Sequence, residues 1–181
     1  MIAGPSGVGK GTVVHRLLAR DPDRLALSVS VTTRAPRHDE VDGVHYRFVS
    51  DPEFDRMIRD DELLEWAEIV GHRSGTPRDA VERLLDEGTD VILEIDVQGA
   101  QQIRDRVPGA VLIFLAPPTL DELERRLRGR GTESEASIRR RLDLAARELA
   151  EASWFHASVT NDDVDRAADE VAAIIDASRR A

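Results

Sequence analysis

The nine residues Gly4-Pro5-Ser6-Gly7-Val8-Gly9-Lys10-Gly11-Thr12 constrain this chain more than any other stretch. They match the phosphate-binding pattern G-x-x-x-x-G-K at each fixed position, and apolar residues at helical spacing, Val13, Val14, Leu17 and Leu18, follow at once. Such a loop needs a strand before it and a helix after it. Glycines let the main chain approach an anion without interference from side chains, so that N–H groups converge on phosphate oxygens at the positive end of a helix. Gly4 through Thr12 are therefore the expected seat of a nucleoside triphosphate, with Lys10 carrying a compact charge to its outer phosphates. Read more simply, the same turn is only a strand-to-helix connection.

Lys10 is also the chain's sole lysine among 25 basic residues, the other 24 being arginine. A coding bias toward arginine accounts for the excess. The exception falls where a flexible point charge serves better than a planar fork.

At 181 residues the chain is long enough for one substantial core with room for a small inserted subdomain. A net charge of −10 and a pI near 5.0 oppose a general nucleic-acid or anionic-membrane surface. Any anion site must then be local. The absence of cysteine removes disulfide and thiolate chemistry, and no apolar run reaches the roughly 20 residues of a membrane span. With no signal-peptide pattern at the start, a cytoplasmic location is expected. An ordinary strand of about five residues has little room before Gly4, so either the natural start lies upstream or the first strand is unusually short.

Leu25 through Val31 and Val44 through Val49 alternate as strands do. Between them, Arg34 and Arg37 flank Ala35-Pro36, a rigid basic stretch suited either to bidentate capture of a phosphate or to a solvated loop. Ser50-Asp51-Pro52-Glu53 is a capping box opening a helix with Phe54, Met57 and Ile58. In Leu63-Leu64-Glu65-Trp66-Ala67-Glu68-Ile69, Glu65 lies between large hydrophobes, where an acid is costly without a partner. It is either an exposed edge-strand acid or a reader of guanine, whose ring N–H and amine present two parallel donors to a carboxylate. Thr76-Pro77-Arg78-Asp79 begins a helix with proline at its first helical position, and on this reading Thr76 need be nothing more than its cap. Asp90 through Asp96 is an apolar strand ending in acids, so Asp96 is placed either to reach a metal-bound water beside the phosphate loop or to cap the next helix.

Ala110 through Leu115 reads as a parallel strand buried on both faces, and Thr119-Leu120-Asp121-Glu122 as a second capping box. The arginines at 125, 126, 128, 130, 139, 140 and 141, interrupted by Gly129 and Gly131, form either a mobile lid that neutralises phosphate charge or a solvated helix face. Ala157 through Thr160 supplies a last strand and Val164 through Ile175 a terminal amphipathic helix. Alternating strands and helices behind a phosphate loop predict an α/β fold, a mainly parallel doubly wound sheet with a mixed β insertion.

Taken together, the loop, Ser30-Val31-Thr32-Thr33-Arg34-Ala35-Pro36-Arg37, Glu65-Trp66-Ala67-Glu68, Glu94-Ile95-Asp96-Val97-Gln98-Gly99, Gly129-Arg130-Gly131-Thr132-Glu133 and Val159-Thr160-Asn161-Asp162 resemble the guanylate kinases over essentially the whole chain. The phosphate loop alone is widely shared; the paired-arginine and acidic segments together are specific. The resemblance implies the P-loop NTPase fold as one domain, with a core of 1–28, 76–124 and 142–181, a GMP-binding insertion of about 29–75 and a helical lid of about 125–141. It implies transfer of the γ-phosphoryl group of ATP to GMP, with dGMP a further candidate, using Mg²⁺ and neither nucleic acid nor membrane. Ser30, Glu65 and Thr76 would read guanine, Arg34, Arg37, Tyr46 and Ser74 would line the acceptor phosphate, and Glu94 would face the monophosphate. Lys10, Arg126, Arg130 and Arg141 would act on the transferring group with Arg34, Asn161 would lie near adenine, and Asp96 would hold the metal through water.

Three departures from the pattern stand out. Gly11 replaces the Ser or Thr that many such loops place on the metal, leaving that contact to Thr12, water or the phosphates. Ser74 stands where many relatives carry a tyrosine, which implies weaker acceptor binding. The short first strand is the third. Two relatives of this architecture remain as rivals: a non-enzymatic module that binds phosphopeptides, and a kinase of phosphorylated sugars.

Overall fold

The computed structural model of the protein describes residues 1–69, 71–129 and 134–180. In chain order its elements are β1 (Ile2–Ala3), α1 (Lys10–Arg20), β2 (Leu25–Leu27), β3 (Val31–Thr32), β4 (Arg47–Phe48), α2 (Asp51–Arg59), β5 (Leu63–Ile69) and β6 (His72–Pro77). There follow α3 (Arg78–Asp86), β7 (Asp90–Ile92), α4 (Val97–Arg106), β8 (Ile113–Ala116), α5 (Leu120–Gly129), α6 (Glu135–Ala150), a 3-10 turn (Glu151–Trp154), β9 (Ala157–Thr160) and α7 (Val164–Ser178). They divide into two compact units, Met1–Asp21 with Glu94–Val97 and Val111–Ala181, and Pro22–Leu93 with Gln98–Ala110.

The first unit holds a parallel sheet in the order β1-β8-β9, with Ile2 opposite Ile113 and Leu115 opposite Val159. A further bridge joins Ile2 to Glu94. Ile113, Phe114 and Leu115 are all buried, as a run of hydrophobes covered on both faces requires. Helices α1 and α7 pack together, tied at their surface by Arg16 to Asp165 at 3.0 Å and Arg20 to Asp169 at 2.5 Å. Leu123 and Leu127 of α5 close against Ala145 and Leu142 of α6. Thr119 and Ser134 cap those two helices, each hydroxyl accepting an N–H three residues on, from Glu122 at 3.1 Å and Ser137 at 3.3 Å.

The second unit contains a parallel pair, β2-β7, and a mixed sheet ordered β4-β3-β6-β5. Its core is Val31, Phe54, Met57 and Leu63, with Trp66 edge-on to Phe54 at 6.4 Å between ring centroids. Ser50 caps α2 by accepting the N–H of Glu53, as the capping box predicts.

Three expectations about elements are corrected. Leu25 through Val31 is not one strand: Ser28 N still donates to Ile92 O, but Val31 pairs with Gly75 in the other sheet, so the chain changes sheets across Ser28–Ser30. Only Arg47–Phe48 of the stretch 44–49 is strand, because Val44 and His45 both donate to Val41 O in a turn that leaves Val44 exposed. Thr76 is not a helix cap; it belongs to β6, Pro77 is the N-cap of α3, and the Thr76 hydroxyl bonds elsewhere.

Candidate functional site

In the first unit the chain leaves β1 and turns through Gly4 to Gly9 into α1. Gly4, Gly7 and Gly9 have φ of 148°, 92° and 99°, and at each a Cβ would collide with a neighbour. On Gly9 it would lie 2.5 Å from Asn161 Nδ2, and on Gly4 2.2 Å from Leu115 O. Glycine is thus required here both by backbone conformation and by space. Lys10 Nζ donates to Gly4 O at 2.6 Å and Pro5 O at 3.4 Å, arching over the loop.

Side chains from three later elements converge on this loop. Arg126 of α5 donates from Nη1 to Val8 O at 3.0 Å and from Nη2 to Asn161 O at 3.0 Å, while Glu122 steadies its Nε at 2.8 Å. Arg141 of α6 donates to Ser6 Oγ at 2.6 Å. Asn161, buried just past β9, donates from Nδ2 to Val8 O at 2.7 Å, and its Oδ1 is buried without a hydrogen-bond partner among the described residues. Of the four arginines expected to serve the transferring group, Arg126 and Arg141 therefore lie at the loop, Arg34 belongs to the other unit, and Arg130 is outside the described residues. Thr12 and Gly11 are exposed in the first turn of α1, and a Cβ on Gly11 would rest 3.5 Å from Glu94 Oε2.

Glu94, expected on the acceptor side, belongs to the unit that carries the loop. Burial pushes its carboxyl up, with the charge of Lys10 acting in the opposite direction. Glu148 of α6, which no sequence pattern singles out, is pushed up to about 7 by burial; Lys10 lowers it and the charge of Asp96 raises it. Asp96 is half-buried in the segment before α4. Oxygen donors beside a phosphate loop suit Mg²⁺, which takes one or two carboxylates and fills its remaining positions with phosphate and water. Among the described residues no group of three or more His, Cys, Asp or Glu forms a complete metal cage.

The second unit holds the other cluster. Arg34 donates from Nη1 and Nη2 to both oxygens of Glu40, each at 2.6 Å, and its Cζ lies 4.8 Å from the centroid of the Tyr46 ring and 5.7 Å from that of Phe48. Glu40 also accepts the N–H of Arg37 at 2.8 Å and pairs with its guanidinium at 3.8 Å. Those bonds, the one from Arg34 first, hold the Glu40 carboxyl down at about 2. Arg34, Arg37 and Tyr46 are thereby brought together, and their organiser, Glu40, is not among the residues expected from sequence. Its signal is an acid three residues past the second of two paired arginines. Ser74 Oγ donates to Thr32 Oγ1 at 3.1 Å, and Thr32 Oγ1 donates to Arg73 O at 2.9 Å. Ser30 is half-buried, and its carbonyl accepts the N–H of Arg47 at 2.9 Å.

Glu65 and Thr76 face each other across β5 and β6, and Thr76 Oγ1 donates to Glu65 Oε1 at 2.6 Å. Glu65 is only 3% exposed and Thr76 1%, so the reading of Glu65 as an exposed edge-strand acid is set aside, although β5 is indeed an edge strand. A carboxylate so enclosed is positioned by its partner rather than by water.

Known proteins resemble this chain over most of its length. The family model described as guanylate kinase matches residues 1–178. The guanylate kinase of Thermobifida fusca (strain YX) is 54% identical over 175 residues, covering 97% of this chain and 89% of its own. That of Caldanaerobacter subterraneus subsp. tengcongensis is 49% identical over 179 residues, covering 99% and 86%. Among solved structures, the crystal structure of guanylate kinase from Anaplasma phagocytophilum superposes with a TM-score of 0.80 at 33% identity, across 97% of this chain and 82% of that one. The α/β fold expected of a P-loop NTPase is thus the fold observed. With the phosphate loop folded as its glycines require and the match running over nearly the full length, the chain belongs to the guanylate kinase family.

Proposed function

We propose that the protein phosphorylates GMP at the expense of ATP, yielding GDP and ADP. A GMP phosphate oxygen attacks the γ-phosphorus, a new P–O bond forms, and the bond to the β,γ-bridging oxygen breaks so that ADP departs with the electron pair. No group on the protein is covalently modified. Its share is alignment and charge stabilisation.

On the donor side, the N–H groups of Gly7 to Thr12 surround the phosphates, with Gly4, Pro5 and Ser6 shaping the turn. Lys10 moves from the Gly4 carbonyl to the outer phosphates, and Arg126 and Arg141, already within reach of the loop at Val8 and Ser6, stabilise charge on the moving group. Asn161 meets the adenine end, a role supported by its unpartnered acceptor. Asp96 would hold Mg²⁺ through water, with Glu94 beside it, and the ion when bound offsets phosphate charge. On the acceptor side Arg34, Arg37, Tyr46 and Ser74 receive the monophosphate, while Ser30, Glu65 and Thr76 receive the base. Substrates of this kind place the enzyme in the cytoplasm; no helix among the described residues is long and apolar enough to cross a membrane.

The observation that carries acceptor choice is the buried Glu65–Thr76 bond. The Thr76 hydroxyl spends its single proton on Glu65, so toward a base it can only accept, and Glu65 also accepts. Both groups suit the donor-rich edge of guanine and repel the ring acceptor of adenine. A coupled assay of ADP release with GMP, dGMP, AMP and UMP tests this. Turnover with GMP and not with AMP or UMP is expected, and Glu65→Gln should raise KM for GMP far more than for ATP. Equal use of AMP, or an equal loss for both substrates in Glu65→Gln, overturns the assignment. Turnover of a sugar phosphate or of no acceptor would restore the corresponding rival.

A further inference from the structure

We propose that Gln102, assisted by Arg106, is a positioning residue for guanine recognition, acting through the backbone of β5 on Glu65. The proposal rests on Glu65 reading the base. It begins with a defect in the sheet. Pairing between β5 and β6 sets Leu63 opposite Pro77 and Glu65 opposite Thr76, so Leu64 is an extra residue on β5. Such a bulge re-aims the side chains around it. In a regular strand alternate residues face opposite sides, yet Leu63, Leu64 and Glu65 are all buried. Leu63 and Trp66, three residues apart, nonetheless pack against the same cluster, so the bulge resets the face that Glu65 takes, and it does so where the ladder to β6 is irregular.

A bulge on an edge strand has no second neighbouring strand to hold it, and β5 is the edge of its sheet. Here α4 supplies what a neighbouring strand would. Gln102 Nε2 donates to Trp66 O at 2.6 Å and Gln102 Oε1 accepts from Trp66 N at 3.2 Å, reproducing with one amide side chain the two bonds that a paired strand residue would make. One turn later, Arg106 Nη1 donates to Leu63 O at 3.3 Å and Leu64 O at 3.1 Å. Residues immediately before and after Glu65 are thus fixed from outside. From inside, Gly75 lets β6 come close, since a Cβ there would lie 2.8 Å from Glu65 O. The carboxylate is held between the two, and its aim toward the base follows from bonds that Glu65 itself does not make.

Kinetics of Gln102→Met, which keeps the side chain's length and removes both bonds to Trp66 along with a long one of 3.5 Å to Gln98 O, test this alone and combined with Glu65→Gln. Alone, it should raise KM for GMP about tenfold while leaving kcat and KM for ATP within about twofold. In the Glu65→Gln background the same change should add less than about twofold, because the two residues act as a unit. A residue that merely covers the sheet edge would instead lower stability and leave the KM for GMP unmoved, and that result, or full additivity with Glu65→Gln, overturns the proposal. If Glu65→Gln does not itself raise the KM for GMP, base reading fails and the proposal falls with it. If it does and Gln102→Met has no such effect, only the positioning role fails. Should Gln102→Met not fold, Arg106→Met, which removes the bonds to Leu63 and Leu64 together with the 4.0 Å ion pair to Asp61, carries the same expectations.

Discussion

Replacing Thr76 by Val isolates one hydrogen bond. The two side chains match in size and branching, and both suit a strand, so the change opens no cavity and strains no backbone. What is lost is the 2.6 Å bond to Glu65 Oε1, between groups that are 1% and 3% exposed. A hydrogen bond to a charged acceptor contributes about 1.5 to 3 kcal/mol net. For a chain of this size each kcal/mol is about 2 to 4 °C of melting temperature, so Thr76→Val should melt about 3 to 12 °C below wild type. The carboxylate also loses its orientation and guanine loses an acceptor, which should raise KM for GMP about tenfold and leave KM for ATP unchanged. Thr76→Ser keeps the hydroxyl and gives up one methyl, at about 0.8 kcal/mol, and should retain the acceptor KM. Differential scanning fluorimetry and the coupled assay, run on all three proteins, decide the matter. A Thr76→Val protein melting within about 1 °C of wild type would refute the reasoning, as would a Thr76→Ser protein that behaves like Thr76→Val.

Four further outcomes follow from the same geometry. Gly9→Ala forces a side chain into left-handed backbone and onto the Asn161 amide; at about 1 to 3 kcal/mol of strain it should weaken ATP by tenfold or more in an isothermal titration. Lys10→Met, which removes the partly exposed bonds to Gly4 O and Pro5 O, should change the melting temperature little yet lower kcat by about 1,000-fold. Glu40 is held down at about 2, so its contribution to stability is complete above the ordinary carboxylate range and is lost as pH falls through about 2; the melting gap between wild type and Glu40→Gln should be widest near neutrality and close in strong acid. Glu148 titrates in the opposite sense, raised to about 7, so its contribution is complete below the ordinary carboxylate range and is lost as pH rises through about 7; Glu148→Gln should match wild type in mild acid and melt above it at pH 8.

Features governed by residues close along the chain are legible in the sequence. The caps at Ser50 and Thr119, the Ala157–Thr160 strand and the glycines of the phosphate loop all express chemistry contained within a few residues. Segments that depend on distant partners are not. Leu25–Val31 alternates without a break, and nothing local marks the point where it leaves Ile92 for Gly75. Thr76 sits where a helix cap would, and only the strand eleven residues earlier gives its hydroxyl a different partner. Glu65 shows the same limit: its type and apolar neighbours are visible, but its burial follows from a bulge, a threonine and an amide on α4. Glu40 and Glu148 escape notice because an acid in a charged loop or on a long helix is ordinary until its neighbours in space are known.

The ties from residues 126, 141 and 161 to the phosphate loop have a kinetic meaning as well. Gly4 through Lys10 leave the ribosome early, while the strand that flanks Gly4, the arginines that brace Val8 and Ser6, and the amide beneath Gly9 are made more than a hundred residues later. A nascent chain halted short of Asn161 therefore carries the full phosphate-binding motif without the amide that braces Val8 O and lies against Gly9. Nascent chains of that length should bind ATP more weakly than the finished protein.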